Sequence, residues 1–292
     1  MTVQNGYLQL VTALSEVYEQ REAAAIADWA MENISGMQRV DRLMHKDQLL
    51  TATQLDKLDV YSRKLLQHEP VQYVLNEAWF AGMKFYVDNN VLIPRPETEE
   101  LVQWILAYAA RAGKPEAALS IIDIGTGSGC IPISLKNKLP DALVYALDVS
   151  EGALSVARKN ADDLQAAVNF LHQDVLNEAQ WQNIPPVDIV VSNPPYIKQS
   201  EAALMHKNVL QNEPHLALFV PDEDALIFYK KIAAMALLRL KPGGALFFEI
   251  NESLGKEVCE VLVLKGFIHV ELRKDLQQKD RMVMAELPFT DH

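Results

Sequence analysis

The regular alternation of apolar runs and helical patterns after about residue 119 constrains the fold of this chain more than any other feature. Each apolar run is short enough for one strand, and the segments between the runs carry a helical spacing of apolar residues. Five strands are predicted in this way, at residues 120–124, 143–147, 168–172, 187–191 and 245–250. The alternation is typical of a doubly wound α/β fold, in which a parallel sheet has helices on both faces.

The helices between these strands are predicted at residues 128–138, 151–162 and 222–240. Pro242-Gly243-Gly244 is expected to end the last of them, because neither proline nor glycine continues a helix well. The last apolar runs, 267–272 and 282–287, are separated by a polar turn and predict an antiparallel hairpin.

The first 75 residues follow a different pattern. Leu10, Leu14 and Val17 recur at three- and four-residue spacing, and no strand-like alternation interrupts them. Ser35-Gly36 is expected to close one helix, and residues 53–66 to form a later one. This part of the chain therefore predicts a small helical bundle.

A third pattern separates these two parts. Around residues 77–93, aromatic runs flank Ala81-Gly82, which suggests a β-hairpin. A chain of 292 residues exceeds what a single core usually fills. We therefore predict a helical domain at 1–75, a hairpin connector at 76–93 and an α/β domain at 94–292.

Composition excludes several other classes of protein. Hydrophobic residues make up 49% of the chain, but no run approaches the roughly 18 apolar residues of a membrane span. The start has no basic segment followed by an apolar one, so we expect no export signal and a cytoplasmic location. Cys130 and Cys259 fall in predicted helices and are expected to be reduced. Neither has a CxxC partner, and the seven histidines lack ligand spacing, so no metal is predicted.

The net charge is −12, from 27 basic and 39 acidic residues. This balance works against stable binding to a long stretch of nucleic acid backbone. An acidic surface keeps a protein in solution, and it can also attract a basic protein partner.

The sequence Asp123-Ile-Gly-Thr-Gly-Ser-Gly129 follows the first apolar strand and opens a helix, where a doubly wound sheet binds a ligand that carries a nucleoside. Its spacing is G-x-G-x-G, which differs from the G-x-G-x-x-G of dinucleotide folds. S-adenosylmethionine has no pyrophosphate to place on a helix N-terminus, so this loop suits it. The loop residues predicted to bind it are Gly125, Thr126, Gly127, Ser128 and Gly129.

Two acidic residues follow the next strands. Asp148 ends the second strand, where a carboxylate can accept both ribose hydroxyls, although an aspartate there is often a helix cap. Asp174 follows the third strand and is a candidate for the adenine amino group, with a simple turn residue as the alternative.

Asn193-Pro194-Pro195-Tyr196 comes directly after the fourth strand. Two prolines remove two backbone donors, which leaves a pocket rich in acceptors. The Asn193 side-chain oxygen and the Pro194 carbonyl can accept both hydrogens of a conjugated –NH2 group, and Tyr196 can stack on its planar system. The alternative is an ordinary Asn-Pro turn. Together with the glycine loop, the tetrapeptide predicts methyl transfer to a planar amino or amide nitrogen.

The glycine loop and this tetrapeptide together resemble the class I amino-methyltransferases, which include DNA and RNA adenine-N6, rRNA guanine-N2 and protein-glutamine enzymes. The tetrapeptide cannot choose among these substrates. A more specific resemblance is to the HemK/PrmC family, the N5-glutamine methyltransferases of peptide chain release factors. It is carried by residues 91–102, Val-Leu-Ile-Pro-Arg-Pro-Glu-Thr-Glu-Glu-Leu-Val. Further matches extend the resemblance over nearly the whole chain, at residues 68–73, 213–214, 217–218 and 280–281. Residues 275–281 depart from the family pattern, which often carries glycine there.

The resemblance implies a class I, Rossmann-like, seven-stranded methyltransferase sheet with an N-terminal all-helical domain for substrate recognition, joined by a β-hairpin. It places S-adenosylmethionine, which leaves as S-adenosylhomocysteine, on Gly125 to Gly129, Asp148, Asp174-Val175 and Asn193. The glutamine of the Gly-Gly-Gln loop of a class 1 release factor would lie on Asn193, Pro194, Pro195 and Tyr196, with Asn193, Pro194 and Tyr196 catalytic. Arg95, Glu97 and Glu99 either organise the edge of the site or form surface ion pairs.

A release factor must work among ribosomal RNA, so its catalytic domain should be basic and attracted to an acidic enzyme. We expect the enzyme to be a monomer. An RNA or DNA amino-methyltransferase is the alternative function, but it would call for a basic groove with stacking aromatic side chains. A non-catalytic cofactor-binding protein is a third possibility, which the intact motifs disfavour.

Overall fold

The computed structural model describes residues 1–111, 113, 115, 118–204 and 207–289. It divides the chain into two compact units. Met1–Glu77 with His206–Asn212 forms a helical unit, and Ala78–Met205 with Glu213–His292 forms an α/β unit. The chain therefore returns to the helical unit for a few residues after the Asn-Pro-Pro-Tyr segment.

The helical unit contains α1 (Val3–Leu14), α2 (Gln20–Ser35), α3 (Arg39–Met44), α4 (Ala52–Leu66) and α5 (Val71–Leu75). Thr51 and Gln54 form a reciprocal capping box that fixes the start of α4, and Gly36, at φ 71°, ends α2 as predicted. Leu10 and Leu14 are buried in its core. Val17 lies beyond the end of α1 and is 37% exposed, so it does not extend the apolar face that the spacing predicted.

The predicted hairpin is present as β1 (Ala78–Phe80) and β2 (Met83–Phe85), which pair antiparallel. Ala81 and Gly82 connect them with φ values of 50° and 77°. Positive φ at both central residues is the backbone of a tight two-residue hairpin turn.

A seven-stranded mixed sheet forms the centre of the α/β unit and confirms the predicted fold class. Its strands are β3 (Ser120–Ile124), β4 (Leu143–Asp148), β5 (Val168–His172), β6 (Val187–Ser192), β9 (Leu240–Glu249), β10 (Ile268–Lys274) and β11 (Asp280–Glu286). They are ordered β10-β11-β9-β6-β3-β4-β5, and β11 runs in the direction opposite to the other six. A separate parallel pair consists of β7 (Ile197–Lys198) and β8 (Phe219–Val220).

The remaining α-helices are α6 (Pro96–Arg111), α7 (Cys130–Lys138), α8 (Glu151–Asp163), α9 (Lys207–Asn212, in the helical unit), α10 (His215–Leu218), α11 (Ile227–Arg239) and α12 (Gly255–Leu264). Short 3₁₀ helices lie at Glu178–Asn183 and Gln199–Leu204. The predicted helix at 222–240 begins later, at Ile227, because turns closed by Pro221 and Asp224 occupy its first residues. Pro242 to Gly244 lie inside β9, where a register shift against β6 accommodates them.

Both faces of the sheet are covered. Phe247 packs edge-on against Trp104 of α6 on one face, and Phe248 packs edge-on against Tyr229 of α11 on the other. Because β3 lies between β4 and β6, the chain changes direction across the sheet there. The carboxyl ends of these strands meet at the place where such sheets bind their ligands.

Cys130 at the start of α7 and Cys259 in α12 are free thiols. Within residues 1–111, 118–204 and 207–289, no helix is long and apolar enough to cross a membrane.

Candidate active site

A pocket opens at the carboxyl ends of β3, β4 and β6 in the α/β unit. Ten of the residues predicted for the site line it: Gly125, Thr126, Gly127, Ser128, Asp148, Asp174, Val175, Asn193, Pro194 and Pro195. The structure thus brings together four segments, one at the carboxyl end of each of the strands β3, β4, β5 and β6. Gly129 and Tyr196 are not part of the pocket wall.

The glycine loop combines open and crowded positions. Gly125 and Gly127 have φ values of 74° and 54°, and a Cβ atom on either would meet nothing within 4 Å. The backbone there is therefore open to a ligand. Gly129, at φ 79°, is crowded instead, because a Cβ atom would lie 3.0 Å from Ile133 Cδ1 and 3.2 Å from Ala157 Cβ. It allows α7 to begin close against its neighbours, which is a packing role.

Asp148 is buried at the end of β4. Its Oδ2 accepts the N–H of Gly127 and its Oδ1 accepts the N–H of Ser150, each at 2.9 Å. Burial raises the pKa of this carboxyl, and these backbone donors oppose the rise. A carboxylate offers about four acceptor sites, so Asp148 retains capacity for a ligand hydroxyl.

Asp174 lies two residues beyond the end of β5. Its Oδ1 accepts the N–H of Leu176 at 2.8 Å, the local contact that the turn alternative requires. The residue also lines the pocket, as does Val175. Both interpretations of Asp174 are therefore compatible with its position.

Several buried polar atoms near the glycine loop have no hydrogen-bond partner within the described part of the chain: both carboxylate oxygens of Asp123, Thr126 Oγ1, Ser128 Oγ and Gln173 Oε1. Burial raises the pKa of Asp123 to about 7, and the nearby Thr126 hydroxyl opposes this without reaching hydrogen-bond geometry. Unpartnered buried polar groups are costly, so this cluster indicates a polar ligand. Asp123 could have been identified from the sequence, because it is the one charged residue in β3 and stands among three isoleucines.

Asn193 follows β6 directly, and its Nδ2 donates to Thr98 Oγ1 at 3.3 Å. The Thr98 hydroxyl in turn donates to Glu249 Oε2 at 2.7 Å. Both Thr98 and Glu249 are buried. Neither was predicted as a site residue. Glu249 could have been identified from the sequence, because it is a glutamate at the carboxyl end of an apolar strand.

Tyr196 was predicted to stack on the substrate. In the structure Tyr196 packs against the apolar core between the sheet and α11. Burial raises the pKa of Tyr196 to about 12, so its hydroxyl stays protonated at neutral pH.

Arg95 lines the pocket, and its Nη2 lies 2.6 Å and 2.8 Å from the two carboxylate oxygens of Glu213. Glu213 is buried, so this contact is more than a surface ion pair. Glu97 and Glu99 lie in the first turn of α6. Glu97 accepts a long hydrogen bond from Gln277 at 3.4 Å, on the turn between β10 and β11.

Comparisons with known proteins agree with this architecture. Two family models match the chain: the PrmC N-terminal domain over residues 9–75 and the methyltransferase small domain over residues 110–218. The solved structure of the hMettl16 catalytic domain in complex with MAT2A 3'UTR hairpin 6 covers 82% of each chain at 18% identity, with a TM-score of 0.54. That likeness shows a shared fold and no more.

Relatives found by sequence similarity identify the family, which the shared fold does not. The release factor glutamine methyltransferase of Flavobacterium psychrophilum is 42% identical over 97% of this chain and 98% of its own length. The protein of the same name from Bacteroides thetaiotaomicron is 43% identical over 94% of this chain and 96% of its own length. With this identity over nearly its whole length, the chain belongs to the release factor glutamine methyltransferase family.

Proposed function

We propose that this chain transfers the methyl group of S-adenosylmethionine to the side-chain amide nitrogen (N5) of the glutamine in the Gly-Gly-Gln loop of class 1 release factors. The observation that carries the proposal is the shared pocket. Asn193 and Pro194 line the same pocket as the glycine loop and Asp148, in a chain of this family.

The residues present fit S-adenosylmethionine. The open backbone at Gly125 and Gly127 would admit its amino acid part, and Asp148 would accept from its ribose. The unpartnered oxygens of Asp123 lie at the end of β3, directly before this loop. When bound, S-adenosylmethionine supplies an electrophilic methyl group on a sulfonium.

The residues after β6 would hold the acceptor. A glutamine amide has two N–H donors and a nitrogen lone pair that is delocalised into the carbonyl. Asn193 Oδ1 and the Pro194 carbonyl would accept one hydrogen each, which fixes the nitrogen and favours its pyramidalisation. Neither Pro194 nor Pro195 carries an N–H that could compete. The same oxygens would stabilise positive charge that develops on the nitrogen in the transition state.

The helical unit would add recognition area outside the pocket. A glutamine side chain alone is a small ligand, and specific recognition of a folded protein needs a larger contact. The chain's net charge of −12 suits a basic partner.

The test is transfer of labelled methyl from S-adenosylmethionine to three acceptors. These are a purified class 1 release factor, the same factor with alanine in place of the glutamine of its Gly-Gly-Gln loop, and bulk RNA. We expect label on the first acceptor only. Label on RNA would favour the alternative, an RNA amino-methyltransferase, and label on the alanine factor would move the modified residue elsewhere.

A further inference from the structure

Three side chains form a hydrogen-bonded series that leads from the pocket into the core. It starts at Asn193, passes through Thr98 in the first turn of α6 and ends at Glu249, the last residue of β9. Thr98 is 3% exposed and Glu249 is 2% exposed. Asn193 and Thr98 line the pocket, and Glu249 does not.

The charge state of Glu249 sets the direction of this series. An ionised carboxylate can only accept, so the Thr98 hydroxyl must donate its one hydrogen to Glu249. Thr98 Oγ1 then has only lone pairs left for Asn193, and only the Nδ2 end of the Asn193 amide can bond to it. The Asn193 amide also lowers the pKa of Glu249, as an N–H donor directed toward a carboxylate does.

We infer that Thr98 and Glu249 are positioning residues, which hold the nitrogen of Asn193 inward so that its oxygen is presented to the substrate amide. The inference rests on the proposed function. Without the series, the two ends of the Asn193 amide are nearly equivalent in shape, and the side chain could turn by about half a rotation. The turned amide would present donors to the donors of the substrate nitrogen.

Protonation of Glu249 would reverse the series. A neutral carboxylic acid can donate to Thr98 Oγ1, which frees the Thr98 hydrogen to bond to the oxygen of Asn193. Burial raises the pKa of Glu249 to about 7, so the reversal falls within an accessible pH range. Five other titratable groups, each from a different segment of the chain, interact electrostatically with Glu249: Arg281, Glu97, Tyr196, Tyr229 and Cys130. Of these, Arg281 lowers the pKa of Glu249 and Glu97 raises it.

A purely structural role for the same contacts would have other consequences. It would lower stability when a contact is lost, but it would not link the rate of transfer to the ionisation of Glu249. The pH dependence of kcat therefore separates the two roles.

The kinetic test uses the full chain with saturating S-adenosylmethionine and a class 1 release factor, from about pH 5.5 to about pH 9. We expect kcat of the wild type to rise with pH through a midpoint near the pKa of Glu249. Thr98→Val keeps the shape but removes the hydroxyl, and should lower kcat by roughly tenfold or more with little change in KM for S-adenosylmethionine. Thr98→Ser should restore most of the rate. In Glu249→Gln, the fall of kcat toward low pH (the acidic limb of the profile) should disappear.

Ser134→Ala serves as a control, because it removes another buried hydroxyl, in α7, that does not line the pocket. It should leave both kcat and the pH profile unchanged. If Thr98→Val stays within about twofold of the wild type, or if Glu249→Gln keeps the acidic limb, the positioning role is wrong. Absence of transfer by the wild type would count against the proposed function instead.

A second measurement does not depend on the substrate. The side-chain ¹⁵NH₂ signals of Asn193 and the ¹³C carboxyl signal of Glu249 are followed by NMR over the same pH range. We expect both to shift with one midpoint in the wild type, and the Asn193 signals to lose this dependence in Thr98→Val. Asn193 signals that do not respond when Glu249 titrates would overturn the inference whatever the substrate is.

Discussion

The main-chain N–H of Gly127 donates to Oδ2 of Asp148 at 2.9 Å, which ties the glycine loop after β3 to the carboxylate at the end of β4. The second oxygen of Asp148 holds the N–H of Ser150 at the same distance. The carboxylate therefore shapes the loop and can also accept from a ligand.

We expect Asp148→Ala to weaken binding of S-adenosylmethionine by roughly 1.5–3 kcal/mol, the range for hydrogen bonds to a charged group. Asp148→Asn should cost less, because it keeps the shape and one acceptor oxygen. Isothermal calorimetry measures both, and thermal unfolding checks that the variants are folded. Wild-type affinity in a folded Asp148→Ala would remove this residue from the site.

Arg95→Met should destabilise the α/β unit, because it leaves the buried carboxylate of Glu213 without its cation. Breaking a fully buried pair costs roughly 3–5 kcal/mol, and we expect about 2–3 kcal/mol because the Arg95 side chain is 35% exposed. Burial already raises the pKa of Glu213 and Arg95 opposes that rise, so the loss should grow as pH increases and Glu213 ionises. Denaturant unfolding at about pH 5 and about pH 8 measures it.

The double variant Arg95→Met with Glu213→Gln is the control for this pair. It removes both charges, so it should recover part of the stability and lose the pH dependence. A loss in Arg95→Met that is the same at both pH values would show that the guanidinium does not compensate Glu213.

Asp123 should make stability fall as pH rises. Its folded-state pKa is about 7, against an ordinary value of 3.8, because the carboxyl is buried. Between these values the folded chain binds a proton that the unfolded chain does not, so the stabilisation is complete below the ordinary pKa and lost as pH passes the folded one. The loss is roughly 4 kcal/mol by pKa arithmetic. Asp123→Asn should make the fall of stability between about pH 4 and about pH 8 smaller in denaturant unfolding, while the contribution of Glu249 remains. An unchanged slope would refute the assignment.

Much of the site could be predicted because its residues follow strands that sequence periodicity reveals. Asp148 ends β4 and Asn193 follows β6 directly, and the carboxyl ends of neighbouring parallel strands meet at one edge of a sheet. Knowing the strands was therefore enough to place these side chains near the glycine loop. No long-range contact had to be known in advance.

The long-range contacts around the pocket could not be predicted in this way. Thr98 and Glu249 are 151 residues apart, and Arg95 and Glu213 are 118 apart. Such pairs depend on how the start of α6 packs against the end of β9 and against the residues between α9 and α10, which local periodicity does not encode. The orientation of the Tyr196 ring could not be predicted either. Two prolines precede Tyr196, and no repeating pattern of apolar residues assigns it to a face of the sheet.

The helical unit should matter more for a whole release factor than for a peptide. A chain that begins at Ala78, with a glycine-serine linker in place of 206–212, should bind S-adenosylmethionine about as well as the full chain. Its kcat/KM for the whole factor should fall by roughly tenfold or more, because recognition area is lost. The kcat/KM for short Gly-Gly-Gln peptides should fall less. An equal loss on both substrates would mean that the unit serves stability alone.

Asn193 should be the most sensitive position in the pocket. Asn193→Ala removes the acceptor oxygen, so only the Pro194 carbonyl can hold the substrate amide and the transition state loses a preorganised dipole. We expect kcat to fall by roughly 10²–10³, about 3–4 kcal/mol, with a much smaller change in cofactor affinity. Asn193→Asp keeps an acceptor oxygen but loses the N–H that bonds to Thr98, so it should lie between alanine and the wild type. Single-turnover kinetics at saturating S-adenosylmethionine measure this order, and an alanine variant within about threefold of the wild type would rule out the acceptor pocket.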